Sequence, residues 1–148
     1  MKEVKKMECF IPSISVSFCL SSINNVDFDL SRVTSLMKID PTKSRNKKQF
    51  PQISIDKGIA KSYWELKIEE KHCQNISIPF EKLFNLLYDK VSIINFICEE
   101  MHLNVDIVIV IRVKCGNRPL DILPKKVISF LSLIKVILTK SIEIPQNT

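Results

Sequence analysis

Residues 77–113 read SIPFEKLFNLLYDKVSIINFICEEMHLNVDIVIVIRV, and two hydrophobic periods meet inside this stretch. Phe80, Leu83, Phe84, Leu87, Val91, Ile94, Cys98 and Met101 recur every three or four residues, which stacks them along one helix face. Val105, Ile107, Ile109, Ile111 and Val113 then recur every second residue, the period of a strand. Ser77 and Pro79 suit the first turn of a helix and Glu81 suits the positive end of its dipole. The stretch predicts one long helix from Ser77 to Met101 laid on a sheet, and hence an α+β domain.

Toward the N-terminus, Trp64, Leu66 and Ile68 alternate with Glu65, Lys67 and Glu69, which predicts a strand over 62–69. A weaker strand is expected from Ile53 to Lys57, with Gly58 at a hairpin position. Thr42 to Phe50 is expected to be a loop. Before it, Leu30, Val33, Leu36 and Met37 fit a short helix capped by Asp27 or Asp29 and stopped by Asp40-Pro41, because the residue before proline is pushed out of helical geometry. Ile14, Val16, Phe18 and Leu20 alternate with Ser13, Ser15, Ser17 and Cys19, a half-buried first strand. On the C-terminal side, a turn at 116–119 leads to a helix from Pro124 to Ile137 and a last strand from Thr139 to Ile144, with Ile142 and Ile144 inward. Apolar residues nearly surround that last helix, so it is expected to be buried on two sides or held in an interface. The order is β-α-β-β-α-β-α-β. It predicts a single antiparallel or mixed sheet with helices packed on it, ferredoxin-like in its first six elements. The whole chain, 1–148, reads as one α+β domain with flexible ends at about 1–8 and 145–148.

With 148 residues, 45% of them hydrophobic and 26% charged, the chain can build a core without disulfides or metals. Lys2, Lys5 and Lys6 precede the apolar stretch 10–20, but Pro12 and the alternating serines break any continuous leader core. No run approaches the about 20 apolar residues of a membrane span. Five scattered cysteines (Cys9, Cys19, Cys73, Cys98 and Cys115) without a C-x-x-C pair read as small hydrophobes in a reducing cytoplasm.

Catalytic groupings are missing from the pattern. With Gly58 and Gly116 as its two glycines, the chain cannot form a Gly-rich phosphate loop. There is no G-x-S-x-G elbow, and adjacent Glu99 and Glu100 diverge by about 100° on a helix. His72 and His102 flank the long helix, so the sets Glu69, Glu70, His72, Cys73 and Cys98, Glu99, His102 are held apart, and each is too small for a closed zinc site. The expectation is no catalytic residue, no metal and no cofactor. The net charge of +6 is concentrated, with Lys38, Lys43, Arg45, Lys47 and Lys48 against Asp40 alone between 38 and 48. Such a cluster either solubilises a loop or meets an anionic partner. Lys43, Arg45, Lys47 and Lys48 are the expected partner-binding residues.

Asp27-Phe28-Asp29, Ile39-Asp40-Pro41-Thr42-Lys43 and Ser62-Tyr63-Trp64-Glu65-Leu66, together with the helix-strand layout that follows, resemble a family of small bacterial α+β proteins described as a domain of unknown function. The resemblance spans about 14–144 and brings no catalytic residue with it. Some members of that family lie near toxin genes. This implies a cytoplasmic immunity protein that binds and occludes a toxin with an acidic surface, a +6 chain suiting such a target better than a basic nuclease. The last helix could support a homodimer. The alternative is a nucleic-acid-associated accessory protein using the basic loop, although Glu65 and Glu69 beside Tyr63 would repel phosphate on the sheet and no RNP1-type motif is present.

Overall fold

The computed structural model describes residues 12–113, 123–134 and 136–143. Its elements are β1 (Ser13–Ser22), α1 (Leu30–Met37), β2 (Lys43–Arg45), α2 (Gln52–Asp56), β3 (Tyr63–Glu70), α3 (Ser77–Leu87), α4 (Val91–Met101), β4 (Leu103–Arg112), α5 (Lys125–Leu133) and β5 (Ile137–Glu143). The strands form one sheet in the order β2-β3-β1-β4-β5. The first four are antiparallel neighbours, as the βαββαβ order predicts, and β5 adds to β4 in parallel.

β1 is the central strand. Val16 lies opposite Ile68 of β3 on one side and opposite Ile109 of β4 on the other. The inward residues Ile14, Val16, Phe18 and Leu20 are fully buried, and they join Trp64, Leu66, Val105, Ile107, Ile109 and Ile111 in a single core. Val33 and Met37 of α1, Phe80, Leu83 and Leu87 of α3, Ile94 and Ile97 of α4, and Val127, Phe130 and Leu131 of α5 close that core from the same side of the sheet. Trp64 crosses Phe18 edge to face at 6.2 Å between ring centroids, and its indole N–H donates to the Thr34 hydroxyl at 3.0 Å. That hydrogen bond lets the largest core side chain bury its one polar atom without penalty.

Several expectations are corrected. Ile53–Lys57 is not a strand: Gln52–Asp56 forms the short helix α2, in which the Gln52 amide donates to Asp56 at 2.8 Å. Gly58 is therefore a helix terminator and not a hairpin glycine. At φ +71 its N–H donates to the Ile55 carbonyl, and the Ile59 N–H donates to the Ser54 carbonyl, the paired bonds of a left-handed helix C-terminus. The partner of β3 is instead Lys43–Arg45, inside the segment expected to be loop. The long helix is broken at Tyr88–Lys90, where a tighter turn separates α3 from α4. The two halves serve different neighbours: α3 packs on β3, β1 and α5, whereas α4 packs on β4 and α1. The last helix ends at Leu133 and not at Ile137, because Ile137 begins the pairing with β4. It buries Val127, Phe130 and Leu131, with Ile134 buried just beyond its end, and leaves Ile128 and Leu133 exposed. Cys19 lies on the sheet face away from the core, half-buried, whereas Cys73 is a core residue as expected. The ends read as flexible, Cys9, Cys115, the turn at 116–119 and Ile144 lie outside the described residues.

Ile107 faces the core from β4 with no exposed surface. Ile107→Ala is expected to lower stability by about 2–5 kcal/mol in urea denaturation, whereas Ile23→Ala, at an exposed site, is expected to change it by less than about 0.5 kcal/mol.

Candidate functional site

Residues 46–62 form an excursion between two paired strands. β2 and β3 are antiparallel neighbours that a short turn could join. The chain instead runs through a tight turn at Lys47–Gln49 and then through α2, which buries none of its residues. Of the whole excursion only Ala60 and Ser62 are buried, while Ile53 and Ile59 are 62% and 67% exposed. A long connection that adds so little to the core, and shows branched aliphatic side chains to water, has the character of a contact element.

One node fastens the excursion to the domain. The Ser62 hydroxyl donates to Asp27 Oδ1, and the Lys47 N–H donates to Asp27 Oδ1 at 3.0 Å and to Ser62 Oγ at 2.7 Å. Asp27 comes from the β1–α1 loop, so three segments meet at one carboxylate. Asp29 is the α1 cap, accepting from the Arg32 N–H at 3.1 Å, which leaves Asp27 free for this role. The Ser62 hydroxyl holds the Asp27 carboxyl below the usual carboxylate range, with the Lys47 amide and the charges of Lys47 and Lys48 adding to the effect and partial desolvation opposing it.

The node places the four expected cations along one edge. Lys43 sits opposite Glu65 and Arg45 opposite Tyr63 in the β2–β3 register. Arg45 is locally engaged: its guanidinium lies 4.2 Å over the Phe50 ring and donates to the Gln49 carbonyl at 3.1 Å, and Phe50 meets Tyr63 edge to face. Lys43 and Lys48 are exposed and Lys47 is half-buried. Among the described residues none of the four forms an ion pair, although ion pairs form elsewhere, as between Arg112 and both Glu69 and Glu143. Val26, 61% exposed, lies beside Asp27 next to this cationic edge. Sequence reasoning found the charges but missed the apolar half of the surface. Its signal was available: Pro51 before α2, the Gln52-to-Asp56 spacing, and Gly58 followed by Ile59 are a helix start and stop.

The sheet face away from the helices carries a second row. Lys43, Glu65, Cys19 and Asp106 stand side by side on β2, β3, β1 and β4. The Cys19 thiol donates to Glu65 at 3.7 Å, and burial, reinforced by the charges and hydrogen bond of Glu65, pushes its pKa up to about 12. Burial also raises the Asp106 carboxyl, against the pull of Lys61. A thiol held protonated beside carboxylates is a poor nucleophile. His72 and His102 are exposed at element ends, and each adopts a left-handed backbone there. Among the described residues no group of three or more metal-ligating side chains converges, and no described helix is long and apolar enough to cross a membrane.

Two measurements follow from these groups. A carboxylate whose pKa is depressed by folding adds stability above its ordinary pKa, and that stability disappears as pH falls through the folded value. The wild type is therefore expected to exceed Asp27→Asn in urea midpoint at neutral pH, with the gap closing below the carboxylate range. Cys19 is expected to be alkylated by iodoacetamide orders of magnitude more slowly in the folded chain than in urea at mildly alkaline pH, as read by mass spectrometry.

No curated protein and no solved structure matches the chain. A family match does extend from β1 to just beyond β5, over residues 12–144, and so takes in the sheet, the helix layer and the excursion alike: the chain belongs to the DUF4279 family, a domain of unknown function.

Proposed function

We propose that this chain is a cytoplasmic, non-enzymatic protein-binding module of the immunity type, which inactivates a toxin by occupying part of its surface. The observation that carries the reading is the excursion 46–62, which exposes Ile53 and Ile59 on the same connection whose cations form no ion pair among the described residues. An apolar centre beside a cationic edge matches the anatomy of protein interfaces, in which desolvated aliphatic contact supplies affinity and charge at the margin steers and orients the encounter. Lys43, Arg45, Lys47 and Lys48 would meet an acidic surface, and the +6 charge of the chain favours such a partner over a basic nuclease. Arg45 is presented already ordered by Phe50 and the Gln49 carbonyl, which lowers the entropy lost on binding. Self-association through α5 would use the exposed Ile128 or the exposed Leu133, which stand about 140° apart around the helix.

The test is co-expression with the product of the adjacent gene. The wild type is expected to restore growth to cells making a toxic neighbour. Lys43→Glu combined with Lys48→Glu, and separately Ile53→Asp, are each expected to weaken binding to that product about tenfold with circular dichroism unchanged. A harmless neighbour, or full protection by both variants, would overturn the reading. Steeply salt-dependent binding of nucleic acid through the same cations would replace it.

A further inference from the structure

The excursion 46–62 is closed at its neck by the bonds that fasten it to the domain. Lys47 and Ser62 stand at its two ends, and the Lys47 N–H donates to Ser62 Oγ at 2.7 Å. The same N–H and the Ser62 hydroxyl both donate to Asp27 Oδ1. One carboxylate oxygen therefore holds the neck shut and ties it to the β1–α1 loop. None of these bonds belongs to the strand ladder, whose β2–β3 pairs run from Lys43–Glu65 to Arg45–Tyr63.

A second tie is Phe50, half-buried between Arg45 and Tyr63. Farther out the chain has little to hold it. From Pro51 to Ala60 every hydrogen bond among the described residues stays within the excursion: the Ile55 N–H donates to Pro51, Gly58 to Ile55, and Ile59 and Ala60 to Ser54. Ala60 is the one buried residue of that stretch. α2 has five residues, well short of the about 12–15 below which an isolated helix is marginal in water. It persists because its ends are pinned, so freeing the neck removes the condition for its own hydrogen bonds. Segments with few buried apolar contacts open locally at a fraction of the global cost.

We propose that the excursion is a latched strap with Asp27 as its catch. Breaking the Asp27–Ser62–Lys47 node frees the neck and melts α2 in one local step, while the sheet and the core stay folded. The latched state fixes the backbone at Lys47, and with it the place of Lys47 and Lys48 beside Lys43 and Arg45. For a partner that engages these cations together with Ile53, the latched form is the competent one, and apparent affinity scales with the latched fraction. This consequence rests on the protein-binding reading, whereas the latch is a property of the free chain, so either can fail without the other.

The experiment is amide hydrogen exchange of the free chain, read residue by residue by NMR. The amides of Lys47, Ile55, Gly58, Ile59 and Ala60 are expected to share one protection factor, about a hundredfold or more below those of Phe18 in β1 and Ile109 in β4. Asp27→Ala, at an exposed loop position, is expected to lower the shared factor about tenfold, the scale of losing hydrogen bonds to a charged acceptor. Ile107→Ala is expected to lower the factors of Phe18 and Ile109 by about thirtyfold or more and to leave the strap factor unchanged, because the strap opens without unfolding the core. Urea below the global transition is expected to separate the two sets in the wild type in the same way. Strap amides that lack protection, that spread over unrelated rates, that follow the sheet amides in Ile107→Ala or in urea, or that ignore Asp27→Ala would overturn the proposal.

Discussion

The register of β1 is the constraint on which the rest of the structure depends. The strand is hydrogen-bonded along both edges, and its alternation sends Ile14, Val16, Phe18 and Leu20 into the core and Ser13, Ser15, Ser17, Cys19 and Ser21 to the opposite face. A slip of one residue would bury serines under the helices and turn Phe18 away from the core, so both neighbours are locked by the same pattern. Because the helices then cover one face, every functional surface has to come from the other face, from the helix exteriors or from the edges. The edges differ. On one side β3 is capped by the three-residue strand β2 and its excursion; on the other, β5 runs parallel to β4 from the Asp106–Ile137 pair onward among the described residues.

Charge is distributed according to that layout. Exposed ion pairs tie neighbouring elements: Arg32 to Glu100 joins α1 to α4, Lys82 to Glu70 joins α3 to β3, and Lys126 to Glu81 joins α5 to α3. Such pairs add little stability singly. The cations at 43–48 are instead ordered by main-chain anchoring at Asp27 and Ser62 and by the Phe50 ring. They keep their charge available while the backbone beneath them is fixed. On the face away from the helices, Cys19, Glu65 and Asp106 share a row in which burial favours the protonated thiol and opposes ionisation of Asp106.

How much was legible differs by element. The strands β1, β3 and β4 were readable because each has one buried face, and strict alternation has no other cheap explanation. The helix break at Tyr88–Lys90 was not, because Leu87 and Val91 keep the helical spacing on both sides of it and only the different neighbours of α3 and α4 reveal the turn. Ile53 and Ile55 mimicked strand alternation across five residues, a window too short to separate the two periods. The cationic half of the candidate interface was visible as composition. The apolar half was hidden, because an exposed isoleucine and a core isoleucine look the same in a string of letters.

By itself the sequence determined the layer arrangement, the identity of the inward face and the position of the basic segment, since periodicity and charge are local properties that survive without coordinates. The tertiary structure alone decided which carboxylate anchors the excursion, which strand pairs with β3, and where β5 begins to pair with β4. Each of these depends on residues far apart in the chain meeting across the fold, as Asp27, Lys47 and Ser62 do, and no local pattern encodes such a meeting.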